Sequence, residues 1–294
     1  MKFARPDHIS DPDMLPQMPV WVTSARAETI EDEVFLSGAA LSCLHGILGQ
    51  NAVPHALLRD RLALRAAEAC VAFSGRFERA GDLRDAMHLL RPGNLPGPAG
   101  ETCLAWRRAV ERPVSIKALG RALPTLKLGQ IATWLDTGKG APVTRAAMAL
   151  EAVLREAPRA DEAALILADA ALAQALSWDH VVPLLAAGLK RTDLRQRGHD
   201  LRLACHRAVT ASAVEATRLA VDLARRAALL KGVAPKLRAK GAGDAVEIFL
   251  TQDAVAPSAL PLPDRAARRL CDRLVDLEAV RELTGRDTFR LYGV

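Results

Sequence analysis

Arg265, Arg268 and Arg269 fall at i, i+3 and i+4. On a helix that spacing sets three guanidinium groups on one face. A planar guanidinium pairs bidentately with a guanine edge or clamps a phosphate. Further on, Arg286 and Arg290 stand near Gly285 in the run RELTGRDTFRLY. Arginines on a reversing hairpin suit contact with phosphates or the minor groove. The chemistry these residues offer is recognition of a polyanion, with no bond made or broken.

The elements that must position them can be read from spacing. Residues 244–251 carry Ala245, Ile248 and Phe249 at helical intervals. Residues 254–260 read as a short second helix, stopped by Pro261 and Pro263, which lack the amide donor. Asp264 stands where an N-cap is wanted. A third helix is expected over about 265–280. Ala267, Leu270, Cys271, Leu274 and Leu277 form its buried stripe, and the arginines lie opposite. The period then changes to two. Phe289 and Leu291 alternate with Thr288, Arg290 and Tyr292, and Gly285 permits a tight reversal. Helix, helix, turn, helix, hairpin is the order of a winged helix-turn-helix. Its third helix lies in the major groove with its early residues at the base edges. Residues 231–294 hold eleven Lys/Arg against nine Asp/Glu. That near-neutral balance keeps a second reading open, in which the winged helix docks a protein partner.

No pattern of catalytic residues stands out. The loop GNLPGPAG at 93–100 has no GK[ST] and no preceding strand, so it reads as a turn. Asp85 and His88 are an i, i+3 pair beside it. An enzyme would need a deep pocket lined by Asp85, His88 and Asn94. His199 and His206 are seven apart on one helix, whereas helical metal pairs use i, i+4. They read as half-exposed helix histidines. Five cysteines are scattered without a CxxC, and read as small buried hydrophobes. No metal site and no cofactor is expected.

The 294 residues are 50% hydrophobic, 25% charged and only 4% aromatic, with a formal net charge of +6. Such a chain buries enough surface to fold without disulfides. Its alanine- and leucine-rich composition favours helices. The expected fold is an all-α helical bundle ending in a winged helix-turn-helix with a short β-hairpin wing. Residues 1–20 read as a flexible arm, 21–230 as the helical body, 231–243 as a Gly-rich basic hinge, and 244–294 as the winged helix. Within the body, helices are expected over about 30–50, 55–77, 82–90, 101–110, 115–135, 142–155, 161–176, 180–189 and 198–230. The prolines and aspartates of the first twenty residues exclude an apolar leader, and no apolar run approaches a membrane span. The protein is expected in the cytoplasm.

Residues 61–100 (RLALRAAEACVAFSGRFERAGDLRDAMHLLRPGNLPGPAG) and 233–294 resemble an uncharacterised family, a domain of unknown function found mainly in alphaproteobacteria. The likeness covers nearly the whole chain and implies no activity. A more distant likeness is to Fic-type helical proteins, which often end in a winged helix. Residues 69–75 (ACVAFSG) are similar to their small-residue inhibitory motif, with Ser74 where the glutamate would be. Residues 161–190 resemble their central helices, yet the His-Pro-Phe…Gly-Asn-Gly-Arg motif is missing. That resemblance implies a body that has lost nucleotide-transfer chemistry. The functional expectation is therefore a non-enzymatic transcriptional or plasmid/mobile-element regulator that binds double-stranded DNA through Arg265, Arg268, Arg269, Arg286 and Arg290. Dimerisation through the helical body is expected from the two-fold symmetry of such readers. The alternative is a helical scaffold that docks a protein.

Overall fold

The computed structural model describes residues 12–24, 27–90, 93–237 and 241–294. Parts of the expected arm (1–11) and of the expected hinge (238–240) lie outside the described residues, as do residues 25–26 and 91–92. The described chain is mainly helical and ends on one small antiparallel sheet. It divides into two compact units, Trp21–Leu41 with Arg59–Val214, and Met1–Val20 with Ser42–Leu58 and Glu215–Val294.

The first unit is built from α1 (Val20–Ser24), most of α2 (Ile30–Leu48) and α3 (His55–Phe73), α4 (Ala80–His88), α5 (Gly97–Glu111), α6 (Ile116–Ala122), α7 (Leu128–Asp136), α8 (Pro142–Glu156), α9 (Asp161–Ala175), α10 (Leu185–Gly188) and the start of α11 (Gly198–Val233). Its central pairing is α8 on α9. In α9 every residue from Ala164 to Ala173 is buried. A helix apolar on all sides belongs in the middle of a core. Its alanines let neighbouring backbones approach closely, while Leu165, Ile166 and Leu172 fill the space between.

Two expected helices are broken, each for a local reason. The run 115–135 splits into α6 and α7 because Pro124 disfavours helical backbone at Leu123 (φ −121°, ψ 68°). Ser115 begins α6 by accepting the Ala118 amide at 3.1 Å. The run 180–189 forms only the short α10. Pro183 cannot donate, and the next amides turn to α9: Asp169 Oδ1 accepts from Leu184 N at 3.1 Å and Leu185 N at 2.9 Å. Asp169 is thus the one charged side chain in a wholly apolar stretch, and it caps the turn beside it.

The second unit holds the ends of α2 and α11, the start of α3, short 3₁₀ turns at Pro12–Met14, Ala234–Lys236 and Pro257–Ala259, and α12 (Ala242–Phe249), α13 (Asp264–Asp276), β1 (Arg281–Glu282) and β2 (Tyr292–Gly293). Leu44, Ile47, Leu57, Phe249, Val255, Cys271, Leu274 and Leu291 are fully buried in it. The division of the units runs through α11, between Val214 and Glu215. Residues 231–243 carry the end of α11, a 3₁₀ turn and the first residues of α12. No described helix is long and apolar enough to cross a membrane.

Candidate nucleic-acid interface

Pro261 and Pro263 stop the chain before α13, and α13 starts at Asp264. The expected second helix shrinks to the 3₁₀ turn Pro257–Ala259, since the prolines at 257, 261 and 263 leave too few amide donors for an α-helix. Asp264 is the first helical residue and makes no side-chain cap; Pro263 holds the N-cap position. Ala267, Leu270, Cys271 and Leu274 are buried, as the stripe requires, while Leu277 is half-buried just past the helix end. The helix closes early because Glu278 turns left-handed (φ 57°) and Ala279 N bonds back to Leu274 O at 2.9 Å.

Arg265, Arg268, Arg269 and Arg273 all face solvent on the opposite side. Among the described residues none of them has a carboxylate within 4.0 Å. Asp272 and Asp276 are exposed on the same side, nearer the C-terminal end. Like charges at i, i+4 repel by a few tenths of a kcal/mol, and a cation in the first turn opposes the helix dipole. Arg265 incurs both costs, which is a local rule broken where an anion would repair it.

Behind α13 the chain forms a hairpin. Arg281 pairs with Gly293 and Glu282 with Tyr292, and Leu283 N donates to Leu291 O at 2.8 Å. Val255 adds a third segment, exchanging bonds of 2.8 and 2.9 Å with Tyr292. Gly293 is required there: a Cβ would sit 2.5 Å from the Asp253 carbonyl oxygen. The expected alternation extends less far than the sequence suggests. Leu291 is buried, but Phe289 adopts a left-handed backbone (φ 55°) and is 72% exposed, because residues 284–290 form a loop.

Side chains hold that loop. Glu282 accepts from the Thr284 hydroxyl, from Thr284 N at 2.7 Å and from Gly285 N at 2.9 Å. Arg286 Nη2 donates to Phe289 O at 3.3 Å, and Arg290 Nε donates to Arg286 O at 2.9 Å. Arg290 also lies 3.9 Å from Asp287. The structure therefore brings the five expected arginines into two different settings. Among the described residues the three of α13 have no carboxylate within 4.0 Å, whereas Arg286 and Arg290 brace the hairpin loop. Glu282 was not singled out by spacing; an acidic residue two positions before Thr284-Gly285 was the available signal.

Partial burial pushes the Glu282 carboxyl up, but the donors at Thr284 and Gly285 outweigh it and hold the carboxyl below its usual range. A depressed folded value means that this group stabilises above the unfolded carboxylate range, near pH ~4.3, and that its contribution is lost as pH falls through the folded value. Glu282→Ala is expected to speed amide exchange at Thr284 and Gly285 while leaving α13 amides unchanged. Hydrogen-exchange rates at neutral pH check this, and unchanged exchange at Gly285 would refute the bracing role.

The other candidates resolve simply. His206 is buried, a correction to the half-exposed reading; its Nδ1 lies 2.7 Å from Ser37 Oγ, a partner from far earlier in the chain. His199 is exposed, 3.6 Å from Asp200. Asp85 and His88 are half-buried on α4 and Asn94 is exposed. Cys70, Cys103, Cys205 and Cys271 are buried and Cys43 half-buried, all as free thiols. Among the described residues no cluster could hold a metal ion.

A mainly helical chain closing on a three-segment antiparallel hairpin, with an exposed arginine face on its last helix, is the class the fold defines. The chain matches the model of a protein family of unknown function (DUF1403) across residues 6–294, and it belongs to that family. No curated protein matches it.

Proposed function

We propose that residues 242–294 are a winged helix that binds double-stranded DNA, with α13 as the recognition helix and the 281–293 hairpin as the wing. What carries the reading is the exposed face of α13, where Arg265, Arg268 and Arg269 have no carboxylate within 4.0 Å among the described residues. The order α12, Val255 segment, 3₁₀ turn, α13, β1, β2 also suits a winged helix, with Val255 joining the outer edge of the hairpin. On this reading the helix arginines meet base edges and phosphates. Arg286 and Arg290 shape the wing and hold it against the DNA backbone.

The body is read as a degenerate relative of Fic-type helical proteins, without their histidine and phosphate loop. Residues 69–75 lie at the end of α3 and 161–175 form α9. A two-fold reader also needs two copies of the chain; a dimer mass by light scattering at micromolar concentration is expected, and a monomer would count against it. Such a protein works where DNA is, in the cytoplasm of a bacterial cell. The exposed apolar Phe289 favours a second reading, in which the hairpin docks a protein.

Fluorescence anisotropy on a random 30-mer duplex separates the two. DNA binding predicts micromolar or tighter affinity that weakens steeply with salt and is lost in Arg268→Ala/Arg269→Ala. Absence of binding at low salt refutes it and favours docking.

A further inference from the structure

In the first compact unit a cavity of ≈ 650 Å³ opens where the end of α3, the α8–α9 connection and the residues after α10 meet. Its volume lies in the ordinary range for small-molecule sites. Its floor is apolar and buried: Phe73, Leu154 and Leu194. Its rim carries Arg159, Arg191, Arg195 and Arg197, all exposed at the mouth. Among the described residues none of these arginines has a carboxylate within 4.0 Å. Two carboxyl groups, Asp161 and Glu162, share the wall, so the arginines outnumber the acids and the mouth is net positive.

Burial pushes both carboxyls up; Arg191 opposes this at Asp161 and a Thr102 hydrogen bond opposes it at Glu162. Their oxygens can accept hydrogen bonds from a ligand's polar edge. Cys70 on the floor is no nucleophile. Burial pushes its thiol far up, and its Sγ accepts from Trp106 Nε1 at 3.3 Å. The lining favours binding over covalent chemistry.

We propose that this cavity binds a small amphiphilic organic anion, with its apolar body on Phe73, Leu154 and Leu194 and its acidic head among Arg159, Arg191 and Arg195. A guanidinium cluster suits phosphate, sulfonate and carboxylate heads alike. The site is separate from the α13 face and does not depend on DNA binding.

The probe is 8-anilinonaphthalene-1-sulfonate, an aromatic anion with one N–H donor, titrated into the full chain. The expected result is a saturable fluorescence rise at one molecule per chain, displaced by phenyl phosphate and not by inorganic phosphate at the same concentration. Arg191→Gln/Arg195→Gln should weaken it at least tenfold with an unchanged circular-dichroism spectrum. Ser74→Trp, which fills the mouth from an exposed position, should do the same. Arg265→Gln/Arg268→Gln should leave it unchanged. A rise that does not saturate, that inorganic phosphate displaces equally, or that persists in both cavity variants overturns the proposal.

Discussion

Replacing Arg265, Arg268 and Arg269 together by glutamate is expected to abolish duplex binding while leaving the fold intact. Each arginine that meets a base edge contributes ~1–3 kcal/mol at its base pair. Every 1.4 kcal/mol is tenfold, so even two such contacts make the combined loss at least about thirtyfold. Charge reversal adds repulsion from the phosphates and flattens the salt dependence. The fold should not suffer. The three side chains are exposed and have no carboxylate within 4.0 Å among the described residues. Arg265 is the second residue of α13, where a carboxylate is favoured by the helix dipole by about 0.3–1 kcal/mol. Arg265→Glu alone should therefore raise thermal stability slightly while weakening DNA binding. Thermal unfolding and anisotropy on the same samples check both. Binding and stability falling together would mean that the arginines hold the fold and read nothing.

Asp169→Ala is expected to be the most damaging single change in the helical body. The carboxylate is fully buried and takes the amides of Leu184 and Leu185, with Ala186 N at 3.5 Å. Each buried amide left without an acceptor costs about 1–3 kcal/mol, so alanine should cost about 3 kcal/mol or more by urea unfolding at neutral pH. Asparagine keeps an acceptor oxygen and should cost less. The two variants also differ from the wild type in pH dependence. Burial, opposed by the Leu185, Leu184 and Ala186 amides, pushes the Asp169 carboxyl up to about 7. Unfolded, it would titrate near ~3.9. Between those values the folded chain holds a proton that the unfolded chain lacks. Stability from this group therefore falls as pH rises from about 4 to about 7, and is level above that. Asp169→Asn should remove that slope. A loss below about 1 kcal/mol in Asp169→Ala, or an unchanged slope in Asp169→Asn, would refute the capping role.

Much of the helical layout was legible because spacing and punctuation agree. Helices α2, α8, α9 and α11 fall within a few residues of their apolar patterns, and the buried stripe of α13 is as expected save for Leu277. The misreadings have separate physical causes. Residues 180–189 look helical locally, yet Asp169 takes the amides that a longer helix would use. Residues 254–260 look helical until the three prolines are weighed against so short a run. Phe289 alternates correctly in sequence, but the loop at 284–290 breaks the strand before it. The arginines of α13 could be found from i, i+3, i+4 spacing alone. The bracing bonds of Arg286 and Arg290 could not, because their acceptors are backbone carbonyls set by the loop's path. Nor could the cavity, whose lining comes from residues 70–74, 102, 154–162 and 191–197, distant in sequence and joined only by packing.

The central claim is that α13 faces duplex DNA, and site-specific photo-crosslinking tests it most directly. A benzophenone amino acid in place of Asp272, exposed on the arginine side of α13, should crosslink to a labelled 30-mer duplex upon irradiation. The same probe at Lys117 on α6, exposed in the helical body, should not. Crosslinking at Asp272 that disappears with added salt is the result the account predicts. Equal labelling at both positions, or none at Asp272 under conditions where the DNA is bound, would contradict it.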